Sequence, residues 1–319
     1  MAFQISVMIN SNSLFNKSSN PITMVCIKEL LRRRFANQSS ISKHQQQIMS
    51  KGLPPKRNIP YVKHIVLVSS GKGGVGKSTT AVNMATALAD IQPSLRVGLL
   101  DADVFGPSVP LMMNLSGKPL INAEKKMIPM VNYGVKCISM GFLVEQEAAM
   151  MWRGLMVMKA VNQLMFEVDW GPTDVLVVDT PPGTGDTHLS LIQNLNISGG
   201  LVVTTPQQLA TQVAGRGVTM FRKLGVPIIG VVQNMGTVIC SNCKHKNELF
   251  GPAINKFAKD LDIDVVQDIP LDPIISTSGD QGTPVVISHP DSLVASSFRN
   301  LATTVAKFLK IGDFTKDSS

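Results

Sequence analysis

Eight consecutive residues, Gly71-Lys72-Gly73-Gly74-Val75-Gly76-Lys77-Ser78, constrain this chain more than any other stretch of it. Gly71, Gly76, Lys77 and Ser78 meet the spacing G-x-x-x-x-G-K-[ST] of a phosphate-binding loop. The apolar run 64–69 before the loop reads as a buried strand, and 78–89 after it reads as a helix. The chemistry requires that order. A strand aims the turn, glycines without Cβ let backbone N–H groups approach phosphate oxygens, and the helix start adds the positive end of its dipole. Lys77 is spaced to reach the β- and γ-phosphates, and the Ser78 hydroxyl to ligate Mg²⁺. The expected nucleotide contacts are therefore Gly71, Lys72, Gly73, Gly74, Val75, Gly76, Lys77, Ser78 and Thr79.

The rest of the chain repeats the alternation of strand and helix. Strands are expected at 64–69, 96–100, 135–139, 174–178, 200–204, 228–232 and 264–267, and helices at 78–89, 152–166, 187–195, 209–224, 250–260 and 292–309. Several of the strands are short and apolar without polar alternation, which marks a parallel sheet buried on both faces. The expected fold is α/β: a doubly wound, mostly parallel sheet flanked by helices, with ligand at the C-terminal strand ends. Residues 114–133 are less regular and read as a loop or small hairpin.

Charge divides the chain at about residue 60. Residues 1–60 hold nine Lys/Arg and one acid, Glu29, and so carry the whole net charge of +8; the remaining residues hold 21 of each sign. The folded part, 61–319, therefore gives no reason to expect nucleic acid as a partner. The leader is rich in Ser, Asn, Gln and Arg. Met24, Ile27, Leu30, Leu31 and Phe35 fall on one face of a possible helix beside Arg32, Arg33 and Arg34, the marks of an organellar transit peptide. The same composition also suits a disordered basic tail. No run of 18 apolar residues occurs, so no membrane span is expected.

Further chemistry sits at the ends of strands. Asp101 and Asp103 follow the second strand, where two carboxylates are costly to bury unless they meet a cation or water. Asp101 reads equally as a metal-side or a purely structural carboxylate. The apolar run 174–178 ends in Asp179, the arrangement in which a dry strand delivers one carboxylate to Mg²⁺. Asp186 suits either a switch residue or a helix N-cap. Four cysteines do not form a disulfide framework in a chain of this length. Cys137 reads as a core residue, and Cys26 lies in the leader. Cys240 and Cys243 form a C-x-x-C pair, two thiolates where a tetrahedral Zn²⁺ or an iron–sulfur cluster takes about four ligands.

These motifs together resemble a known family. S-G-K-G-G-V-G-K-S-T (70–79), L-D-A-D-V-F-G-P-S (100–108), M-G-F-L (140–143), W-R-G (152–154), D-T-P-P-G-T-G-D (179–186), Q-N-M (233–235), C-x-x-C (240–243), C-K-H-K (243–246) and F-G (250–251) are similar to the Mrp/ApbC-type iron–sulfur scaffold ATPases. Those belong to the deviant-loop class that includes MinD, ParA and the nitrogenase iron protein. Q-I-M-S-K-G-L-P (47–54), M-M-N-L (112–115) and W-R-G-L-M-V-M (152–158) look like its mitochondrial nucleotide-binding-protein-like group.

The resemblance implies a homodimer in which Lys72 reaches the partner's nucleotide. It also implies that Lys72, Lys77 and Asp103 are catalytic, with Asp103 orienting the attacking water. Asn234 would read adenine, favouring ATP. Ser78 and Asp179 would serve Mg²⁺, and Cys240 and Cys243 from two chains would hold one [4Fe–4S] cluster. The implied role is slow ATP hydrolysis coupled to cluster delivery, to apo-proteins such as respiratory complex I subunits in the mitochondrial matrix.

Three residues depart from the family pattern. Ser241 stands where proline is usual, which leaves the cysteine loop less stiff. Gln208 and Val213 stand where the family has aspartates. Rival readings are a MinD- or ParA-like positioning ATPase, which calls for a basic amphipathic C-terminal helix, and a zinc-stabilised nucleotide-binding interaction module. A reductase like the nitrogenase iron protein would carry well-separated cysteines rather than C-x-x-C.

Overall fold

The structure is a computed structural model that describes residues 56–143, 152, 154–183, 185–240, 242–243, 245–251 and 253–312. The chain divides into two compact units, Met1–Pro54 and Pro55–Ser319. The first holds most of the basic leader and lies outside the described residues, as do Arg153, Thr184, Ser241 and Lys244.

The second unit is built on an eight-stranded sheet. Its strands are β1 (Val62–Ser70), β2 (Val97–Asp101), β3 (Met130–Asn132), β4 (Val135–Ser139), β5 (Thr173–Asp179), β6 (Gly199–Thr204), β7 (Ile228–Asn234) and β10 (Val265–Ile269). They lie in the order β10-β7-β6-β1-β5-β2-β4-β3. Every pairing is parallel except β3 with β4. A separate two-stranded hairpin, β8 (Thr237–Ile239) with β9 (Lys246–Glu248), follows β7. The main helices are α1 (Lys77–Ile91), α2 (Val109–Met112), α3 (Gly154–Phe166), α4 (Asp186–Asn194), α5 (Gln208–Lys223), α6 (Ala253–Leu261), α7 (Pro273–Asp280), α8 (Val285–Ser288) and α9 (Leu293–Leu309).

Side-chain alternation along the strands explains why both faces need helices. Val66 and Val68 of β1 and Val175 and Val177 of β5 join one buried cluster with α1 and α9. Ile65 and Leu67, with Leu176 and Val178, join the other, with α3, α4 and α5. An apolar strand without polar positions is stable only between two such layers. The α9 helix spends its apolar face here: Phe298, Leu301, Val305 and Leu309 are buried in the first cluster. The doubly wound, mostly parallel α/β fold expected from the sequence is therefore the one formed.

The N-terminal boundary and several short elements differ from expectation. Packing begins before residue 61: Arg57 exchanges backbone hydrogen bonds with Asn194 and Asn196 at 2.8 and 3.1 Å, and Ile59 is buried. Short motifs with weak periodicity were also missed, namely α2, α7, α8 and the β8–β9 hairpin. Residues 114–133, expected as a loop or small hairpin, agree with that reading: Ile121 bridges Met127 antiparallel, and β3 pairs with β4.

Candidate nucleotide site and cysteine hairpin

Strand β1 ends directly at the glycine loop, with β5 and β6 on either side of it, so the loop stands where the winding of the sheet reverses. Gly76 is the pivot. It adopts φ +84°, a left-handed conformation, as the N-cap of α1. A Cβ there would lie 2.0 Å from Asn234 Nδ2. That close approach is used, because Asn234 Nδ2 donates to Val75 O at 2.9 Å and fastens the end of β7 to the loop. Gly73 and Gly74 have open space beside them, where backbone amides can meet a ligand.

Lys77 is buried, and its Nζ donates to Asp179 Oδ1 and, at 3.2 Å, to Ser78 Oγ. Asp179 Oδ2 is buried with no hydrogen-bond partner. Burial pushes the Asp179 carboxyl above the usual range, and Lys77 opposes that shift. An unsatisfied carboxylate oxygen beside a serine hydroxyl suits Mg²⁺, whose octahedral shell accepts one or two protein oxygens with water and phosphate. The residues thus fit a Mg²⁺–nucleotide: Ser78 and Asp179 toward the metal, the loop amides and Lys77 toward the phosphates.

Asp101 anchors the loop that follows β2. Its carboxylate accepts from the backbone N–H groups of Asp103, Ser108 and Val109 at 3.1–3.2 Å and from Ser139 Oγ at 2.9 Å. Complete burial, then the nearby Asp179, pushes it up to about 7. It holds the 102–109 loop and so presents Asp103, which accepts from Gly106 N–H at 3.3 Å. Lys72 Nζ donates to Gln207 Oε1 at 3.2 Å on the surface. Val213, one of the departures from the family pattern, packs against Gly71: a Cβ on that glycine would lie 3.0 Å from Val213 Cβ.

The segment after Asp179 is bound from beneath. Gly183 N–H donates to Ser70 O at 2.8 Å, and its carbonyl accepts from His188 Nδ1 at 2.9 Å. Burial first, then the Lys77 charge, push His188 down to about 4 against the hydrogen bond to Gly183. The unfolded imidazole titrates near 6.5, so between those values the unfolded chain binds the extra proton. Stability is therefore full above about pH 6.5 and falls as pH drops toward 4, by about 3 kcal/mol from this residue. Urea unfolding of His188→Gln against the parent chain from pH 7 to pH 4 should show a shallower acid loss in the variant; parallel curves would contradict the assignment.

A cavity of about 240 Å³ adjoins the loop, lined by Gly76, Thr79, Met112, Asn234, Met235, Leu271 and residues of α7. The sequence offered a signal for α7: Asp272 caps it, accepting from Ile274 N–H at 3.0 Å, with proline in the first turn. Beyond β7 the chain turns into the hairpin that carries the cysteine pair. Cys240 directly follows β8, its N–H donates to His245 O at 3.0 Å, and Cys243 is exposed at the tip. Among the described residues, no three His, Cys, Asp or Glu side chains gather as a metal site. Cys137 is buried, which pushes its thiol far up.

Positive charge, loop amides and a buried carboxylate converge where a phosphate chain and its metal would lie, and the class so defined is the P-loop nucleotide-binding protein. Residues 61–306 match the family described as ParA: NUBPL iron-transfer P-loop NTPase, and the chain belongs to that family. The iron–sulfur cluster transfer protein NUBPL of Mus musculus is 50% identical over 286 residues, covering 89% of each chain. The iron–sulfur protein required for NADH dehydrogenase, mitochondrial, of Arabidopsis thaliana is 47% identical over 288 residues, 90% of this chain and 92% of that one. A nucleotide-binding protein of Archaeoglobus fulgidus solved in complex with ADP superposes with a TM-score of 0.62 at 32% identity, over 70% of this chain and 88% of that one.

Proposed function

We propose that this chain is an ATP-binding iron–sulfur cluster carrier. Two copies face each other, Cys240 and Cys243 from each hold one [4Fe–4S] cluster as cargo, and the cluster passes to apo-proteins, complex I subunits among them, in the mitochondrial matrix. The observation that carries this reading is the exposed C-x-x-C hairpin rooted in the strand that lines the nucleotide cavity. Two thiols per chain make half a cluster site, and a dyad completes it. The names of the mouse and Arabidopsis relatives, a cluster transfer protein and a protein required for NADH dehydrogenase, support the cargo and its destination.

Within each subunit, Lys77 and the loop amides would neutralise the phosphates while Ser78 and Asp179 hold Mg²⁺. Asp103 would orient water for a slow hydrolysis. Lys72 would cross to the partner's nucleotide, giving up only its exposed hydrogen bond to Gln207. Asn234 would meet the base from the wall of the cavity. Anaerobic reconstitution of the purified chain with iron and sulfide tests this. About four irons per dimer are expected, lost in Cys240→Ala and in Cys243→Ala. Stoichiometric zinc with no iron uptake would instead favour an interaction module, and a chain that stays monomeric with iron, sulfide and ATP would end the carrier reading.

A further inference from the structure

We infer that Asp268 is a positioning residue that makes the cysteine hairpin respond to occupancy of the nucleotide cavity, a step that rests on Cys240 and Cys243 being the cargo site. Asp268 stands on β10 and joins two elements that both matter. Its Oδ1 accepts from Gln233 Nε2 at 2.9 Å, and Gln233 immediately precedes Asn234, the residue tied to the glycine loop. Its Oδ2 accepts from Lys246 Nζ at 2.7 Å and from Thr237 Oγ1 at 3.3 Å. Thr237 opens β8, and Lys246 pairs across the hairpin with Ile239, the residue before Cys240. One carboxylate therefore holds the residue next to the cavity-lining Asn234 with one oxygen and both strands of the hairpin with the other.

The backbone runs alongside this joint. Met235 N–H donates to Ile269 O at 2.9 Å, Leu271 N–H to Thr237 O at 2.7 Å, and Leu249 N–H to Gly236 O at 2.9 Å. Met235 and Leu271 both line the cavity. Gly236 leaves the room that the joint needs, since a Cβ there would lie 2.3 Å from Gln233 Nε2. Lys246 is largely exposed, and an exposed ion pair adds little stability. Its consequence is geometric: it fixes where the second hairpin strand sits relative to β10. A ligand that shifts Met235 or Leu271 must move the hairpin or strain this carboxylate, and such contiguous polar contacts are the kind that carry coupling between sites.

The test follows thiol alkylation in the reduced full chain. Iodoacetamide labelling of the peptides bearing Cys240 and Cys243 is timed with and without saturating AMP-PNP and Mg²⁺, with buried Cys137 as the internal reference. The parent chain should show a nucleotide-dependent rate change of about fivefold. Asp268→Asn and Lys246→Met should each reduce that change to less than about twofold while nucleotide Kd stays within about twofold of the parent. Lys246→Met alters an exposed side chain, so the test survives if Asp268→Asn folds poorly. A full nucleotide effect persisting in Lys246→Met would mean another surface shields the thiols, and would overturn the inference. So would a parent chain that binds AMP-PNP without any change in labelling. If labelling behaves as expected but iron uptake fails, the cargo reading falls and the joint stands.

Discussion

Replacing Lys77 with alanine is expected to cost the nucleotide-free protein about 3–5 kcal/mol, the effect of stripping one partner from a buried ion pair. Asp179 would remain fully buried, with neither carboxylate oxygen facing a cation. The cost should shrink as pH falls, because burial already raises the Asp179 carboxyl and protonation removes the stranded charge. Lys77→Ala with Asp179→Asn should recover much of the loss at pH 7.5. Nucleotide affinity should fall about a hundredfold or more in Lys77→Ala, through lost charge-assisted contacts to phosphate. Calorimetry would read the affinity and chemical denaturation the stability; a single variant less than about 1 kcal/mol below the parent would contradict the buried pair.

Gly76→Ala should abolish measurable nucleotide binding and lower stability by at least about 2 kcal/mol, from left-handed strain and an unavoidable contact. The strain comes from φ +84°, and the contact from Asn234 Nδ2, which its hydrogen bond to Val75 O holds in place. Gly73→Ala separates the two demands made on loop glycines. Nothing lies within 4 Å of its Cβ position, so folded stability should stay within about 0.5 kcal/mol even if phosphate binding weakens. Equal losses of stability in both variants would show that the loop tolerates no side chain anywhere, and that the Asn234 contact is not what singles out Gly76.

The sheet was legible because its strands are unbroken apolar runs and the loop between β1 and α1 carries an explicit spacing. Asp179 was legible for the same reason, as a carboxylate ending a dry strand. Asp101 was not: only the folded loop shows that its oxygens are consumed by three backbone N–H groups and Ser139. Lys72 was recognisable from its position, yet its resting contact with Gln207 depends on α5 lying beside the loop, 135 residues away in sequence. The cavity was legible only in pieces: Met112 and Met235 lie in family-like strings and 269–272 was expected to pack over a base, but that they meet in one cavity depends on topology. Asp268 was hidden similarly, since a lone acid on an edge strand looks like a solvated charge until Gln233 and Lys246 arrive from other elements.

The attachment of Arg57 and Ile59 makes the stretch before β1 part of the packed body. Arg57 bridges to Leu195 in parallel and rests its guanidinium 4.1 Å from the centre of the Phe166 ring, and Ile59 fills a position in the interior. A chain beginning after Pro60 would lack a filled core position and an aromatic-stacked arginine. Two of the nine cations of residues 1–60, Lys56 and Arg57, are therefore fastened to this body, Lys56 Nζ donating to Leu224 O at 3.2 Å.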